Sequence, residues 1–306
     1  MLSRRIVLSM IAASAALCAG HIAEAQDWKA KYPELVLAVV PAENASGTVD
    51  RYTPLANYLA KELGTKVTLR VAADYAGVIE GQKAGQIHIG YYGPASYARA
   101  WMVSGGNVQP FVQETRGDGS RGYYAVVYVK KDAPIKSLED LKGKKIGLVD
   151  PNSMSGTMAP TYFMEKEGKP ISTYFGASIM TGSHENAVLA VGNGQVDAAF
   201  NWWNSEGDSN LSRMAKKGVV KAEDFRVVWK SPLLPSSLHA YLNDMPADLK
   251  TAIQKAYLEM HTKDKAAFDK MSDGKDGPYA VATHKDYEET VALNKFVDEL
   301  RKKKTN

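Results

Sequence analysis

Short apolar runs alternate with helix-like segments along most of this chain, and this alternation limits the folds that the chain can adopt. The first three runs are residues 35–41 (LVLAVVP), 66–72 (KVTLRVA) and 87–92 (IHIGYY). A loop follows each run, and a segment with helical features follows each loop. Strands that alternate with helices form a mostly parallel sheet with right-handed crossovers. The pattern therefore predicts an α/β fold.

A second series of the same kind begins in the middle of the chain. Its apolar runs are residues 144–149 (KKIGLV), 174–182 (YFGASIMTG) and 196–203 (VDAAFNWW). Each run again leads through a short loop into a segment with helical spacing. We therefore expect a second parallel sheet with its own helices.

Two long extended runs, residues 123–132 and 225–235, connect the two series. We interpret them as crossings between two lobes. The first lobe is predicted to hold residues 26–125 and 231–306, including the C-terminal helices, and the second lobe residues 126–230. In open α/β sheets ligands bind beyond the carboxyl ends of the strands, so the ligand site is predicted in the cleft between the lobes.

The N-terminus has the pattern of an export signal. Arg4 and Arg5 precede the apolar stretch of residues 6–20, and Ala23-Glu24-Ala25 is a cleavage site of the A-x-A type. We expect residues 1–25 to be removed and the mature protein to reach the periplasm. The two arginines fit Sec or twin-arginine export, and the sequence leaves this choice open.

Cleavage would remove Cys18, the single cysteine of the chain. The mature protein is then expected to have no disulfide, no cysteine nucleophile and no cysteine-bound metal, and we expect no metal or other cofactor. The formal net charge is +4, and the one basic run is residues 301–304. Because the other charges are interspersed, we do not expect nucleic-acid binding. The protein is expected to be a monomer.

Residues 150–156 (DPNSMSG) form the strongest candidate for an anion site. They lie between a predicted strand and a predicted helix, where the first backbone N–H groups of the helix lack partners and the helix dipole favours negative charge. Ser153 and Ser155 add hydroxyl donors, and Gly156 lets a ligand approach the backbone. Since this loop has no Arg or Lys, it is predicted to bind an oxyanion through neutral donors.

The other loops that follow a strand and start a helix are expected to face the same cleft. Because side chains alternate along a strand, Tyr91 is predicted to point away from the cleft if Tyr92 faces it. At least one of Trp202 and Trp203 is expected to line the pocket. Six loops meet this description: residues 41–46, which include Glu43 and Asn44 as solvated residues, and residues 74–75, 92–96, 151–156, 182–185 and 201–206.

Several motifs together resemble the phosphonate-binding periplasmic proteins of ABC transporters, over nearly all of the mature chain. The resemblance implies a two-lobed type II periplasmic binding fold that closes on a phosphonate-type oxyanion and delivers it to a membrane permease, without catalysis. The motifs that carry it are ADYAGVIEGQKAGQIHIGYYGPAS, VDPNSMSG, TGSHENAVLAV, VDAAFN and VVWKSPLLP.

The resemblance also implies ligand-binding roles for individual residues. Tyr75, Tyr92 and His184 match ligand or cleft residues of the family, and Ser153, Met154 and Ser155 match its Ser-Thr-Ser loop, with Met154 in place of the threonine. Trp203 is a further candidate that we derive from the strand end alone.

The sequence departs from the family where members that bind 2-aminoethylphosphonate have carboxylates around the ammonium. Those two positions are Asn204 and Ser237 here. Glu206 and Asp208 lie close enough in sequence to substitute for them. Because a buried ammonium without a counter-charge is costly, we expect ligands without an amine, such as phosphite or methylphosphonate, to be preferred or at least to compete well.

Two other functions are weighed beside transport. The same fold could bind a phosphite- or arsenite-like oxyanion as the sensor subunit of a membrane kinase. A hydrolase could use His184 with Glu185 or Asp197, but the chain has neither a G-x-S-x-G nor an H-E-x-x-H motif. The identity of the ligand stays open at this point.

Overall fold

The computed structural model describes residues 28–305, so the predicted signal peptide lies outside the described residues. These residues form two six-stranded sheets with helices packed around them. This confirms the predicted two-lobed α/β fold of the periplasmic binding type. The lobe boundaries at residues 125 and 230 stay a prediction.

The first sheet has the strand order β12-β4-β11-β3-β1-β2. The strands β1, β2 and β3 run parallel, whereas β11 is antiparallel to β3 and β4. Val39 pairs with both Val71 and Tyr91, so the carboxyl ends of β1, β2 and β3 meet at one edge. The strands of this sheet are β1 Glu34–Val39, β2 Lys66–Val71, β3 Ile89–Tyr92, β4 Val108–Arg116, β11 Leu238–Leu242 and β12 Asp276–Val281.

The second sheet has the order β10-β5-β8-β6-β7, with β9 paired to β8. Here β6 is parallel to β7 and β8, and β5 is antiparallel to β8. The loops after β6, β7 and β8 therefore open at one edge. The strands are β5 Tyr124–Lys130, β6 Lys145–Leu148, β7 Ala177–Met180, β8 Ala198–Ser205, β9 Asp208–Ser209 and β10 Phe225–Lys230.

Side-chain caps start several helices where a strand-to-helix loop ends. Asn44, Asp74 and Ser183 each accept a hydrogen bond from the backbone N–H three residues later. Because Asn44 is the cap, its helix begins at Ala45. The helices are α1 Trp28–Lys31, α2 Ala45–Leu63, α3 Tyr75–Lys83, α4 Pro94–Val103, α5 Ala159–Lys166, α6 Ile171–Tyr174, α7 His184–Gly192, α8 Asn210–Lys216, α9 Ala247–Lys263, α10 Lys265–Ser272 and α11 Glu288–Thr305.

The two crossings between the sheets pair with each other. Tyr123 N donates to Leu234 O at 3.0 Å, and Leu234 N donates to Tyr123 O at 2.8 Å. Gly122 has φ +103°, and a Cβ there would lie 2.6 Å from Leu234 O, so the close approach needs glycine. The crossings thus form a short two-stranded link, which is the natural position for a hinge.

The last helix, α11, packs on both lobes. Leu293 and Val297 share a buried apolar cluster with Ala95 of α4 and with Met158 and Ala159 of the second lobe. The C-terminal helices were predicted to belong to the first lobe. The prediction did not include the contacts that α11 also makes with the second lobe. No helix within residues 28–305 has the length and apolar character to cross a membrane.

Candidate functional site

A cavity of about 90 Å³ lies between the two sheets, where the loops at their strand ends meet. The first lobe contributes residues that follow β1, β2 and β3 and residues of β4, and the second contributes residues that follow β6 and β7 and residues of β8. The location at the carboxyl ends of parallel strands agrees with the rule for open α/β sheets.

One wall of the cavity is a helix start of unusual form. Ser153 caps a π-helical turn, Met154–Met158, which continues directly into α5, and its Oγ accepts the N–H of Gly156 at 3.2 Å. The N–H groups of Met154 and Ser155 are the first in this turn and have no intrahelical acceptor. A Cβ at residue 156 would lie 2.4 Å from Val149, so only glycine lets the turn pack this closely. These features form a compact helix start at the cavity wall, a geometry that favours anions; we refer to it as the anion cradle.

Two tyrosines bring further hydroxyl groups to the cradle. Tyr75 and Tyr123 line the cavity from the first lobe, close to the hydroxyls of Ser153 and Ser155 respectively. Burial raises the pKa of both phenols well above the usual value, and the charge of Asp150 adds to the effect on Tyr75. Both hydroxyls are therefore neutral hydrogen-bond donors at physiological pH.

His184 starts α7 and reaches the cradle from the side. Its Nε2 lies 3.2 Å from Ser153 Oγ and its Nδ1 lies 3.0 Å from Asn201 Oδ1. Burial lowers the pKa of His184 to about 4, although the hydrogen bond to Asn201 raises it slightly. The free site thus holds a neutral imidazole at pH 7.

The other end of the cavity is charged. Tyr91 donates its hydroxyl to Glu114 Oε1 at 2.8 Å, and Arg116 lies within 3.4 Å of Glu114. The same guanidinium pairs with Asp208 at 3.3 Å and Asp276 at 2.9 Å. Burial raises the pKa of Asp276 to about 7, with the charge of Glu114 as a second cause. One cation therefore serves three carboxyl groups.

Trp202 and Asn204 extend this end of the cavity from the second lobe. The guanidinium carbon of Arg213 lies 4.6 Å from the centre of the Trp202 ring, as in a cation–π contact. Asn204 Nδ2 donates to Asp208 Oδ2 at 2.8 Å, so the amide of Asn204 is held by the Arg116 cluster.

Several polar contacts cross between the lobes around the cavity. Lys217 of the second lobe pairs with Glu43 of the first at 2.7 Å and with Glu185 at 3.1 Å. Glu185 also accepts the N–H of Asn44 at 2.9 Å. Together with the pair of Arg116 and Asp208, these contacts hold the lobes closed over the cavity.

The structure brings most of the predicted residues to the cavity. Their roles in binding stay predictions. The residues that line it are Tyr75, Ser153, Met154, Ser155, His184, Asn204 and Ser237. Glu43, expected to be solvated, also lines the cavity and pairs with Arg51 at 2.6 Å.

The prediction for Tyr91 and Tyr92 is wrong, because it assigned the two side chains to the wrong faces of the strand. Tyr92 is fully buried behind the sheet, and its hydroxyl donates to Gln82 Oε1 at 2.8 Å. Tyr91 is the residue that faces the cavity. The two side chains do alternate, as expected, but a strand buried on both faces gives no sign of which face meets the cleft.

On β8, Trp202 lines the cavity, in agreement with the expectation for at least one of the two tryptophans. The candidate Trp203 is corrected: it packs against the apolar cluster of the second lobe, on the face of the strand opposite to Trp202 and Asn204. Glu206 lies in the turn between β8 and β9 and lines a separate surface cavity with Tyr128 and Lys131. Glu206 therefore cannot supply the missing carboxylate in this arrangement.

Sequence reasoning missed several residues of the cavity wall. Glu114 and Arg116 lie on β4, which does not lead into a helix, so the search for strand-to-helix loops could not find them. Arg213 and Tyr123 were missed for the same reason. Two arginines thus line the cavity, although the 150–156 loop itself has none. Within residues 28–305, no group of three or more His, Cys, Asp or Glu side chains is arranged to hold a metal ion.

A two-lobed α/β fold with an anion cradle in the closed cleft defines the class of periplasmic solute-binding proteins. Residues 37–287 match the model of a family described as the periplasmic phosphonate substrate-binding proteins of ABC transporters. The chain belongs to this family.

Curated relatives agree with the family. The chain is 33% identical to the phosphonates-binding periplasmic protein of Escherichia coli over 82% of this chain and 71% of that protein. It is 34% identical to the phosphate-import protein PhnD of Mycolicibacterium smegmatis, over 75% of this chain and 73% of that protein.

A solved structure confirms the fold. PhnD1 of Prochlorococcus marinus, determined in complex with methylphosphonate, superimposes with a TM-score of 0.75 at 19% identity, over 87% of this chain and 98% of that one. At this identity the likeness concerns the fold alone.

Proposed function

We propose that this protein captures a small phosphonate-type oxyanion in the cavity and delivers it to a membrane permease. The observation that carries the proposal is the convergence of four hydroxyl groups and one imidazole on the helix start at Ser153. The hydroxyls belong to Tyr75, Tyr123, Ser153 and Ser155. The hydroxyl groups are neutral donors, which can bind an oxyanion and still permit its release.

The size of the cavity supports a small ligand. At about 90 Å³, the cavity is well below the roughly 300–1,000 Å³ that is typical of pockets for drug-sized ligands. Methylphosphonate and phosphite fit this space, and so does a two-carbon phosphonate. A nucleotide does not fit in the closed arrangement.

The remaining parts of the proposal follow the family and the predicted signal. We propose that residues 1–25 are removed on export, that the mature protein works in the periplasm as a monomer, and that it has no catalytic activity. The lobes are proposed to be residues 26–125 with 231–306, and 126–230. The family and the curated relatives named above are transporter components, so the sensor alternative has no support and is not carried further.

The preference for ligands without an amine also stays a proposal. Asn204 and Ser237 line the cavity where an amine-binding relative would need carboxylates. Glu114 is a carboxylate at the same end, but Tyr91 and Arg116 already occupy its oxygens. A ligand ammonium would have to displace or share these partners, which reduces the binding free energy that it could gain from Glu114.

Titration calorimetry on the purified mature protein tests the proposed function. The ligands to compare are methylphosphonate, ethylphosphonate, phosphite, phosphate and 2-aminoethylphosphonate. We expect at least one of them to bind with a dissociation constant in the micromolar range or below. Absence of binding by all five would refute the proposal.

A further inference from the structure

The imidazole of His184 has a tautomer that its surroundings determine. Asn201 Oδ1 accepts the N–H of Trp202 at 3.0 Å, and Asn201 Nδ2 donates to His184 O at 2.9 Å. These two bonds orient the amide so that its oxygen faces His184 Nδ1 at 3.0 Å. An amide oxygen can only accept, so Nδ1 carries the proton and Nε2 of the neutral ring is a bare acceptor.

This acceptor takes the proton of the Ser153 hydroxyl. Ser153 Oγ lies 3.2 Å from Nε2 and also accepts the N–H of Gly156 at 3.2 Å. With its proton directed at His184 and one lone pair occupied by the N–H of Gly156, the Ser153 hydroxyl has no proton left for a ligand, and its remaining lone pair would repel an oxyanion. One additional proton, placed on Nε2 of His184, would free the Ser153 hydroxyl to donate to a ligand.

We propose, on the basis of the proposed function, that the site takes up its oxyanion together with one proton, which comes to lie on Nε2 of His184. The Nε2–H then donates to Ser153 Oγ, and the Ser153 hydroxyl turns to donate to a ligand oxygen. The proton comes from the P–OH group of a monoanionic ligand, or from solvent when the ligand is a dianion. No other bond is formed or broken.

The chemical consequence is a selection among oxyanions. Phosphonates, phosphite and phosphate hold a second proton that titrates near neutral pH, as phosphate monoesters do with a pKa of about 6. A sulfonate has the same shape, carries one negative charge and brings no proton at this pH. His184 would act as the specificity-determining residue, and Asn201 as the residue that positions its tautomer.

The groups around His184 allow this assignment to be tested without ambiguity. Lys217 engages both nearby glutamates, and the two tyrosines stay neutral because burial raises the pKa of each. Burial also raises the pKa of Asp150, and Asp276 has a pKa of about 7, so these two carboxyl groups need controls. The titratable and charged groups that face this region from the packed elements are Glu43, Tyr75, Tyr123, Asp150, Glu185, Arg213 and Lys217.

The test is calorimetry with methylphosphonate from pH 6 to pH 9, at each pH in two buffers of different ionisation enthalpy. The difference in heat between the buffers counts the protons taken up. We expect uptake to rise to about one proton per ligand above the second pKa of methylphosphonate, and affinity to fall about tenfold for each further pH unit. We also expect methanesulfonate to bind about 10- to 100-fold more weakly at pH 7.

Variants locate the proton. His184→Gln keeps an amide donor but cannot titrate. The number of protons taken up per ligand should therefore fall to near zero, and the ratio of the affinities for methylphosphonate and methanesulfonate should decrease. Asp150→Asn and Asp276→Asn should each keep an uptake of about one. Methylphosphonate binding without uptake in the unmodified protein, or unchanged uptake in His184→Gln, would overturn the inference. Failure of all phosphorus oxyanions to bind at any pH would instead refute the proposed function.

Discussion

Arg116 of the first lobe lies 3.3 Å from Asp208 of the second, and this ion pair connects the two sheets beside the cavity. Both side chains are largely buried. Arg116 also reaches Glu114 and Asp276, so the contact that closes the cleft belongs to the same cluster that forms one end of the cavity. We therefore expect closure and binding to be coupled through this guanidinium.

The first prediction concerns this coupling. Asp208→Asn removes the charge that Arg116 meets across the cleft but can keep a hydrogen bond, so the closed form should lose stability relative to the open form. We expect the ligand-free variant to have a larger radius of gyration by small-angle scattering than the unmodified protein, and methylphosphonate affinity to fall about 3- to 10-fold. Saturating ligand should reduce the radius in both proteins. An unchanged radius on ligand addition would contradict closure of the cleft.

The second prediction concerns the anion cradle. Ser155→Ala removes one hydroxyl donor from a desolvated oxyanion, which costs about 1.5–3 kcal/mol in binding. We expect affinity for methylphosphonate to fall at least about tenfold, with little change in the melting temperature of the free protein. Ser153→Ala should lose affinity and about 1 kcal/mol of stability as well, because Ser153 is also a helix cap.

A matched control for the cradle is the exposed Ser178 on β7 of the same lobe. Ser178→Ala should leave both the affinity and the melting temperature unchanged. Equal affinities of Ser155→Ala and the unmodified protein, measured by calorimetry, would remove this loop from the site.

The third prediction concerns pH and stability. The folded-state pKa of Asp276 is raised to about 7, above the value in the unfolded chain. Between about pH 4 and pH 7 the folded protein therefore holds a proton that the unfolded chain has lost, and this group costs stability progressively as pH rises through that range.

Asp276→Asn should abolish this contribution. The melting temperature of the variant should therefore rise relative to that of the unmodified protein as pH increases from 4 to 8. Thermal unfolding across that range measures the difference. The control is Asp244→Asn, since Asp244 is exposed and should show a constant difference. A constant difference for Asp276→Asn too would show that Asp276 titrates normally.

The fourth prediction concerns the organic end of the ligand. Because Asn204 and Ser237 replace carboxylates and Glu114 is already engaged, ethylphosphonate should bind within about tenfold of 2-aminoethylphosphonate in competition calorimetry. A much tighter amine ligand would contradict this. In that event Glu114→Gln, compared with Glu206→Gln as the variant outside the cavity, would show whether Glu114 holds the ammonium.

Local sequence patterns were enough for the fold and for the core of the site. Alternating apolar runs and helix starts predicted both sheets, and the position of Ser153 after β6 predicted the cradle. These features depend on interactions between residues close in sequence: helix caps, turn geometry and side-chain periodicity. The resemblance to the family pointed to His184, which also starts a helix after a strand.

The tertiary structure decided which strand face meets the cavity and which distant residues join it. Periodicity distinguishes the two faces of a strand but does not say which one is turned to the cleft. Tyr91 therefore lies where Tyr92 was predicted, and of the two tryptophans it is Trp202 that lines the cavity. Glu114 and Arg116 reach the site because β4 pairs beside β11, a contact between residues more than 100 positions apart. Such a pairing depends on packing of the whole lobe, and no local pattern records it.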